Sequence, residues 1–72
     1  MTGVVADELG GTIRERRKHR GLSQHDLAAF AGVSLRVLSS LERGKPTARL
    51  DIIVAVLDAL GLELTVTRRS PA

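Results

Sequence analysis

Seventy-two residues with a net charge of +3, 43% hydrophobic and 26% charged, describe one domain near the lower limit of what a single core stabilises. The absence of cysteine excludes disulfides, thiolate catalysis and Cys-ligated zinc, and fits a reducing cytoplasm. The longest apolar run, "IIVAVL" at 52–57, is far too short to span a bilayer, and "MTGVVADELG" lacks the basic stretch and apolar block of a secretory leader.

Residues 1–6 are expected to fray as a flexible N-terminus. Leu9 and Ile13, four apart, open an amphipathic helix that runs to about His19 and is closed by Gly21 after a basic last turn. Ser23 is placed to cap a second helix, "QHDLAAFA", with Asp26 three positions on to return a hydrogen bond to the cap. On it Gln24, Leu27, Ala28 and Ala31 share one face. Gly32 stops this helix and permits a positive φ, and Ser34 caps a third helix ending at Arg43 and Gly44. "KPTAR" reads as a loop, because Pro46 disfavours helix in the residue before it. "LDIIVAVLDAL", 50–60, is a fourth helix, apolar on most sides and closed by Gly61. The small alanines at 28 and 31 allow helices to approach closely in the middle of the chain.

The last segment changes period. "LELTVTR", 62–68, alternates Leu62, Leu64 and Val66 with Glu63, Thr65 and Thr67, the pattern of a half-buried strand. No second strand exists to pair with it, so the expected partner is the same strand of a second copy, antiparallel about a two-fold axis. A continuation of the fourth helix, or fraying, is the alternative. The division expected is a domain over 7–61, a dimerisation strand over 62–68 and a tail over 69–72.

The third helix carries the functional signal. Wound at about 100° per residue, Leu38 and Leu41 share one side with Leu35 on its flank, while Arg36, Ser39, Ser40 and Arg43 fall opposite. A helix of about two turns is rarely stable alone, so the leucine side must be held by the rest of the fold. Five Lys or Arg residues lie between Arg14 and Arg20 against Glu15 alone, and four more between Arg36 and Arg49 against Glu42 alone. From Leu50 to Thr67 the charges are all acidic. Such asymmetry is the footprint of a polyanion partner, the competing reading being a solvated basic face. Residues 23–42 place Ala28, Gly32, Val33 and Leu38 at helix-turn-helix spacing: a small residue at the contact, glycine at the turn, two apolar seals.

"RERRKHRGLSQHDLAAFAGVSLRVLSSLERGK" resembles the Xre/Cro-type helix-turn-helix repressors, in the pattern R…GLSQ..LA…GVS…LS.LE.GK, over about residues 9–61. The continuation "GKPTARLDIIVAVLDALGLELTV" looks more narrowly like the HipB-type antitoxins, which join this domain to a C-terminal strand paired across a homodimer. The resemblance implies a mostly α, lambda-repressor-like fold of four to five helices with one C-terminal β-strand, using Leu62, Leu64 and Val66 at the dimer strand. It makes residues 34–42 a recognition helix in the major groove of double-stranded DNA. Leu35, Arg36, Ser39 and Ser40 would face base edges, Arg36 pairing with guanine O6 and N7 and Leu35 touching a thymine methyl. Gln24, Ser34, Arg43 and Lys45 would meet phosphates, or be simply solvated. Arg17 and Glu42 would form a structural ion pair locking the first helix to the end of the third. Glu42, the lone acid of a basic stretch on the core side of its helix, agrees with that. The family commonly carries Gln where this chain has Leu35 and Arg36, so no relative's operator transfers.

The function implied is a sequence-specific, homodimeric repressor on a palindromic operator, cytoplasmic and nucleoid-associated. As a HipB-like antitoxin it would autoregulate its operon and bind a HipA-like, kinase-fold toxin. The alternatives are a stand-alone Xre repressor and a helix-turn-helix protein-interaction module without specific readout. No enzyme, cofactor or metal site is expected: no Ser–His–acid set stands at usable spacing, "ELGGTI" follows no strand, and His19 and His25 read as isolated surface residues. Phe30, the only aromatic, lies about 110° from the apolar face of its helix. It is expected to cover the edge of the core, the alternative being a partner surface.

Overall fold

The computed structural model describes residues 2–44, 49–66 and 68, with side chains from Asp7 onward. Lys45, most of the Pro46 loop, Thr67 and the 69–72 tail lie outside the described residues. Four helices follow one another: α1 (Thr2–His19), α2 (Gln24–Ala31), α3 (Leu35–Glu42) and α4 (Leu50–Ala59). The core is aliphatic and takes from every helix: Ile13 of α1, Leu27 and Ala28 of α2, Leu38 and Leu41 of α3, and Val56 and Leu57 of α4, closed by Leu60. Burying one such leucine contributes about 1.5–3 kcal/mol. That decides how the eight-residue α3 persists: packing of Leu38 and Leu41 holds it, since propensity over two turns does not.

The helix ends follow the expected chemistry. Ser23 Oγ accepts from the Asp26 N–H and Asp26 Oδ2 accepts from the Ser23 N–H, both at 3.0 Å, a complete capping box. The hydrogen bond from the Ser23 backbone, more than that from its hydroxyl, holds the Asp26 carboxyl below its ordinary value. A depressed carboxylate contributes stability above its unfolded pKa and loses it as pH falls through the folded one. At the other end of α2, Gly32 takes φ 71°, and the Val33 N–H turns back to the Ala28 carbonyl at 3.0 Å. This left-handed residue makes the turn into α3, and Val33 packs on the core beneath it.

Three differences from the sequence reading have physical causes. Helix α1 begins at Thr2, seven residues before the Leu9 start set by apolar periodicity, because contacts with α3 engage it before its apolar face begins. The closest helix approach is at Gly10 rather than at Ala28 or Ala31: a Cβ there would lie 2.9 Å from the Glu42 carbonyl oxygen. Helix α4 does not continue, since Leu60 caps it and Gly61 turns at φ 72°. Beyond it residues 62–66 are neither helix nor strand, and no strand occurs among the described residues.

Candidate nucleic-acid interface

Helix α3 is bound on one side and open on the other. Its N-cap, Ser34, accepts from the Val37 N–H at 3.0 Å through Oγ, and its exposed hydroxyl keeps its own proton to donate outward. Leu35 and Arg36 follow, both exposed. Ser39 and Ser40 are half-buried and sit lower on the helix flank than a fully outward face would place them. Arg43 is exposed, and its Nη2 lies 3.5 Å from Ser40 Oγ, which draws this cation beside the last turn of α3.

The inner side of α3 ends in a charge clamp. Arg17 donates through Nε to Glu42 Oε2 at 2.7 Å and through Nη2 to Oε1 at 2.9 Å, a two-pronged pair. Its Nη1 reaches the Leu22 carbonyl at 2.9 Å. The two side chains are 10% and 3% exposed, so this pair is shielded from solvent. The hydrogen bond to Glu42, aided by its charge and opposed by burial, raises the Arg17 pKa. Gln24 joins the cluster, donating through Nε2 to Glu42 Oε1 at 3.1 Å. One amide proton of Gln24 is thus turned inward, and a phosphate contact there falls to its second proton and to the first-turn N–H groups of α2, which have no acceptor within the helix.

A turn made by glycine, a capped second helix and an outward-facing arginine at its start coincide with a sequence match: a family model described as "Helix-turn-helix" covers residues 13–66. The chain belongs to the helix-turn-helix family. Among its relatives is the HTH-type transcriptional regulator y4mF of Sinorhizobium fredii, 41% identical over 59 residues, which are 82% of this chain and 78% of that protein. The transcriptional regulator ClgR of Mycobacterium tuberculosis is 32% identical over 66 residues, 92% of this chain but 59% of its own length. An HTH-type transcriptional regulator of Methanothermobacter thermautotrophicus is 39% identical over 51 residues, 71% of this chain and 74% of that one. The Xre-type resemblance read from "GLSQ", "GVS" and "LERGK" therefore stands.

Within this helix-turn-helix chain the basic segment of α1 is partly internal. Arg16 Nε and Arg20 Nη1 each donate to the Leu60 carbonyl at 3.2 Å. They satisfy the end of α4, where carbonyls lack helical donors. With Arg17 on Glu42, three of the five cations between Arg14 and Arg20 serve the fold, and Arg14 and Lys18 remain outward. The spacing of 16 and 20 on one helix face hinted at a shared target, but the target lies some forty residues away in sequence. The only other ion pair among the described residues, Arg49 with Asp51 at 3.0 Å, is exposed and contributes little.

Phe30 is not a lid on the core; it is 68% exposed. Leu27 and Ala28 already fill the contact of α2 with its neighbours, and a ring 110° away has nothing to cover. His19 and His25 are exposed. Among the described residues no group of His, Asp and Glu side chains is placed to hold a metal ion, and no helix is long and apolar enough to cross a membrane. Of the three strand leucine and valine positions, Leu62 packs against the core, while Leu64 is 49% and Val66 95% exposed. Leu9, Leu57, Leu62 and Leu64 line a groove of about 320 Å³ with Glu8 and Glu63 on its rim.

Proposed function

We propose that the chain is a sequence-specific repressor that reads duplex DNA as a homodimer, with α3 as the probe in the major groove. The observation that carries this reading is the two-sidedness of α3: Leu38, Leu41 and Glu42 fix its inner side, and Arg36 stands free at its N-terminal end. Recognition helices of this class contact base edges with their N-terminal residues. Arg36 supplies the forked donor that matches guanine, worth about 1–3 kcal/mol of discrimination. Leu35 adds a methyl contact, Ser39 and Ser40 flank the groove wall, and Ser34, Gln24, Arg43 and Lys45 approach phosphates. Replacing Arg36 by alanine should erase preference at one base position while other positions keep theirs, read by selection from a random duplex pool. An equal loss on all sequences would instead make Arg36 a backbone contact.

The dimer forms through residues 62–68. Support comes from the exposed Leu64 and Val66, which a single chain leaves uncovered, and from the alternating pattern that only a paired strand would use. Two α3 helices would then lie about 34 Å apart, one turn of duplex, over a palindrome. Removing residues 62–72 should convert a dimer to a monomer by light scattering. A truncated chain that still dimerises removes the strand from the interface.

The likeness of residues 44–66 to HipB-type antitoxins extends the reading to a regulator that represses its own operon and binds a HipA-like, kinase-fold toxin. Co-expression with the product of the adjacent gene tests it: protection from growth arrest and a stable complex are expected. A neighbour without toxicity leaves a stand-alone Xre-type repressor.

A further inference from the structure

Two glycines stand side by side in α1, and only one has room for a side chain. A Cβ on Gly11 would meet nothing within 4 Å. One on Gly10 would run into the carbonyl oxygen of Leu41 and lie 2.9 Å from that of Glu42. Both obstacles are main-chain atoms, so no change of rotamer relieves the clash. Gly10 is therefore the point where the backbone of α1 rests directly on the last turn of α3.

The rest of that seam follows at helical spacing. Ile13 and Arg17 share the Gly10 face, one and two turns on. Ile13 is fully buried and Arg17 grips the Glu42 carboxylate. The last turn of α3 is thus seated on backbone at Gly10 and pinned by charge at Arg17. Its first turn is set by the Gly32 corner and the Ser34 cap.

We propose that Gly10 is a positioning residue for DNA readout: by lacking a side chain it fixes how closely α3 sits on α1, and so the direction in which Arg36 points. This rests on the reading of α3 as the groove probe. To bring a Cβ at residue 10 to ordinary contact, the two helices must part by about an ångström. Hydrogen bonds to base edges tolerate a few tenths of that. Long cationic side chains reaching phosphates adapt more readily, so backbone affinity survives where base discrimination does not.

The neighbouring glycine supplies the control. Alanine is the better helix former at both positions, so Gly11→Ala isolates the propensity gain and Gly10→Ala adds the clash. Specific affinity is measured on a duplex selected from a random pool by the unmodified protein, and non-specific affinity on a scrambled duplex of equal length at the same salt. Gly11→Ala should raise the melting temperature by about 2–8 °C and leave the ratio of the two affinities unchanged. Gly10→Ala should lower that ratio by about tenfold or more.

The double variant Gly10→Ala/Gly11→Ala keeps the clash in a stabilised background. A ratio that stays low in it, with a folded helical spectrum at the assay temperature, supports positioning. A ratio that recovers together with the melting temperature makes Gly10 purely structural and overturns the proposal, as does an unchanged ratio in Gly10→Ala alone. An unmodified protein that selects no duplex from the pool overturns the groove-probe reading itself, which is a different failure.

Discussion

Glu42→Ala should lower the stability of the domain by about 3–5 kcal/mol, the usual cost of stranding one partner of a buried ion pair. The carboxylate accepts from Arg17 twice and from Gln24 once. Its removal leaves a guanidinium that is only 10% exposed without its counter-charge and an inward-turned amide without an acceptor. A chain of this length has a total stability of only about 4–10 kcal/mol, so the variant should sit close to unfolding at 37 °C. Chemical denaturation checks the value. A midpoint that does not move would mean that Glu42 is solvated and that α3 is held by its leucines alone. Replacing Arg17 and Glu42 together by apolar residues of similar volume should cost much less, because no charge is then left unpaired.

The second large effect concerns salt. Binding to a duplex should weaken by about 10³–10⁵-fold between 50 and 200 mM salt if the dimer neutralises about 6–10 phosphates. The structure restrains that number from above. Arg16, Arg17 and Arg20 are spent on the Leu60 carbonyl and on Glu42, so the basic run of α1 offers the duplex little beyond Arg14 and Lys18. The burden shifts to Arg36, Arg43 and Lys45, with helix N-termini positioning the backbone. Arg43→Ala should then shallow the slope by about one unit per subunit with no change in sequence preference. Affinity that is flat across this salt range would remove the phosphate backbone from the mechanism.

Local chemistry was the legible part of this chain. Ser23 with Asp26, Ser34 and Gly32 announced their caps and turn because each interaction spans three or four residues. The apolar faces of α2 and α3 were equally plain, since one helical period fixes which side is buried. The Arg17–Glu42 clamp was visible from the family likeness and from a single acid in a basic stretch on the core side of α3. What sequence could not give was partnership at a distance. Nothing beside Arg16 and Arg20 indicates that both reach for Leu60. Gly10 and Gly11 are indistinguishable as letters, and only the approach of α3 separates them. Gln24 was read as a purely outward residue, yet half of its amide faces Glu42. The exposure of Phe30 followed from its angle, but its leading reading assumed a neighbour that the fold does not provide.

The pair of guanidinium groups on the Leu60 carbonyl reaches further than the end of one helix. That carbonyl stands at the root of the segment through which two copies would meet, and Arg16 and Arg20 belong to the helix on which α3 is seated. In the paired assembly the joint between subunits and the reading heads would share one stiff frame, as the jaws of a caliper share a beam. An operator with one base pair inserted between its halves would then be refused outright, because there is no slack at the hinge to absorb the extra rotation and rise.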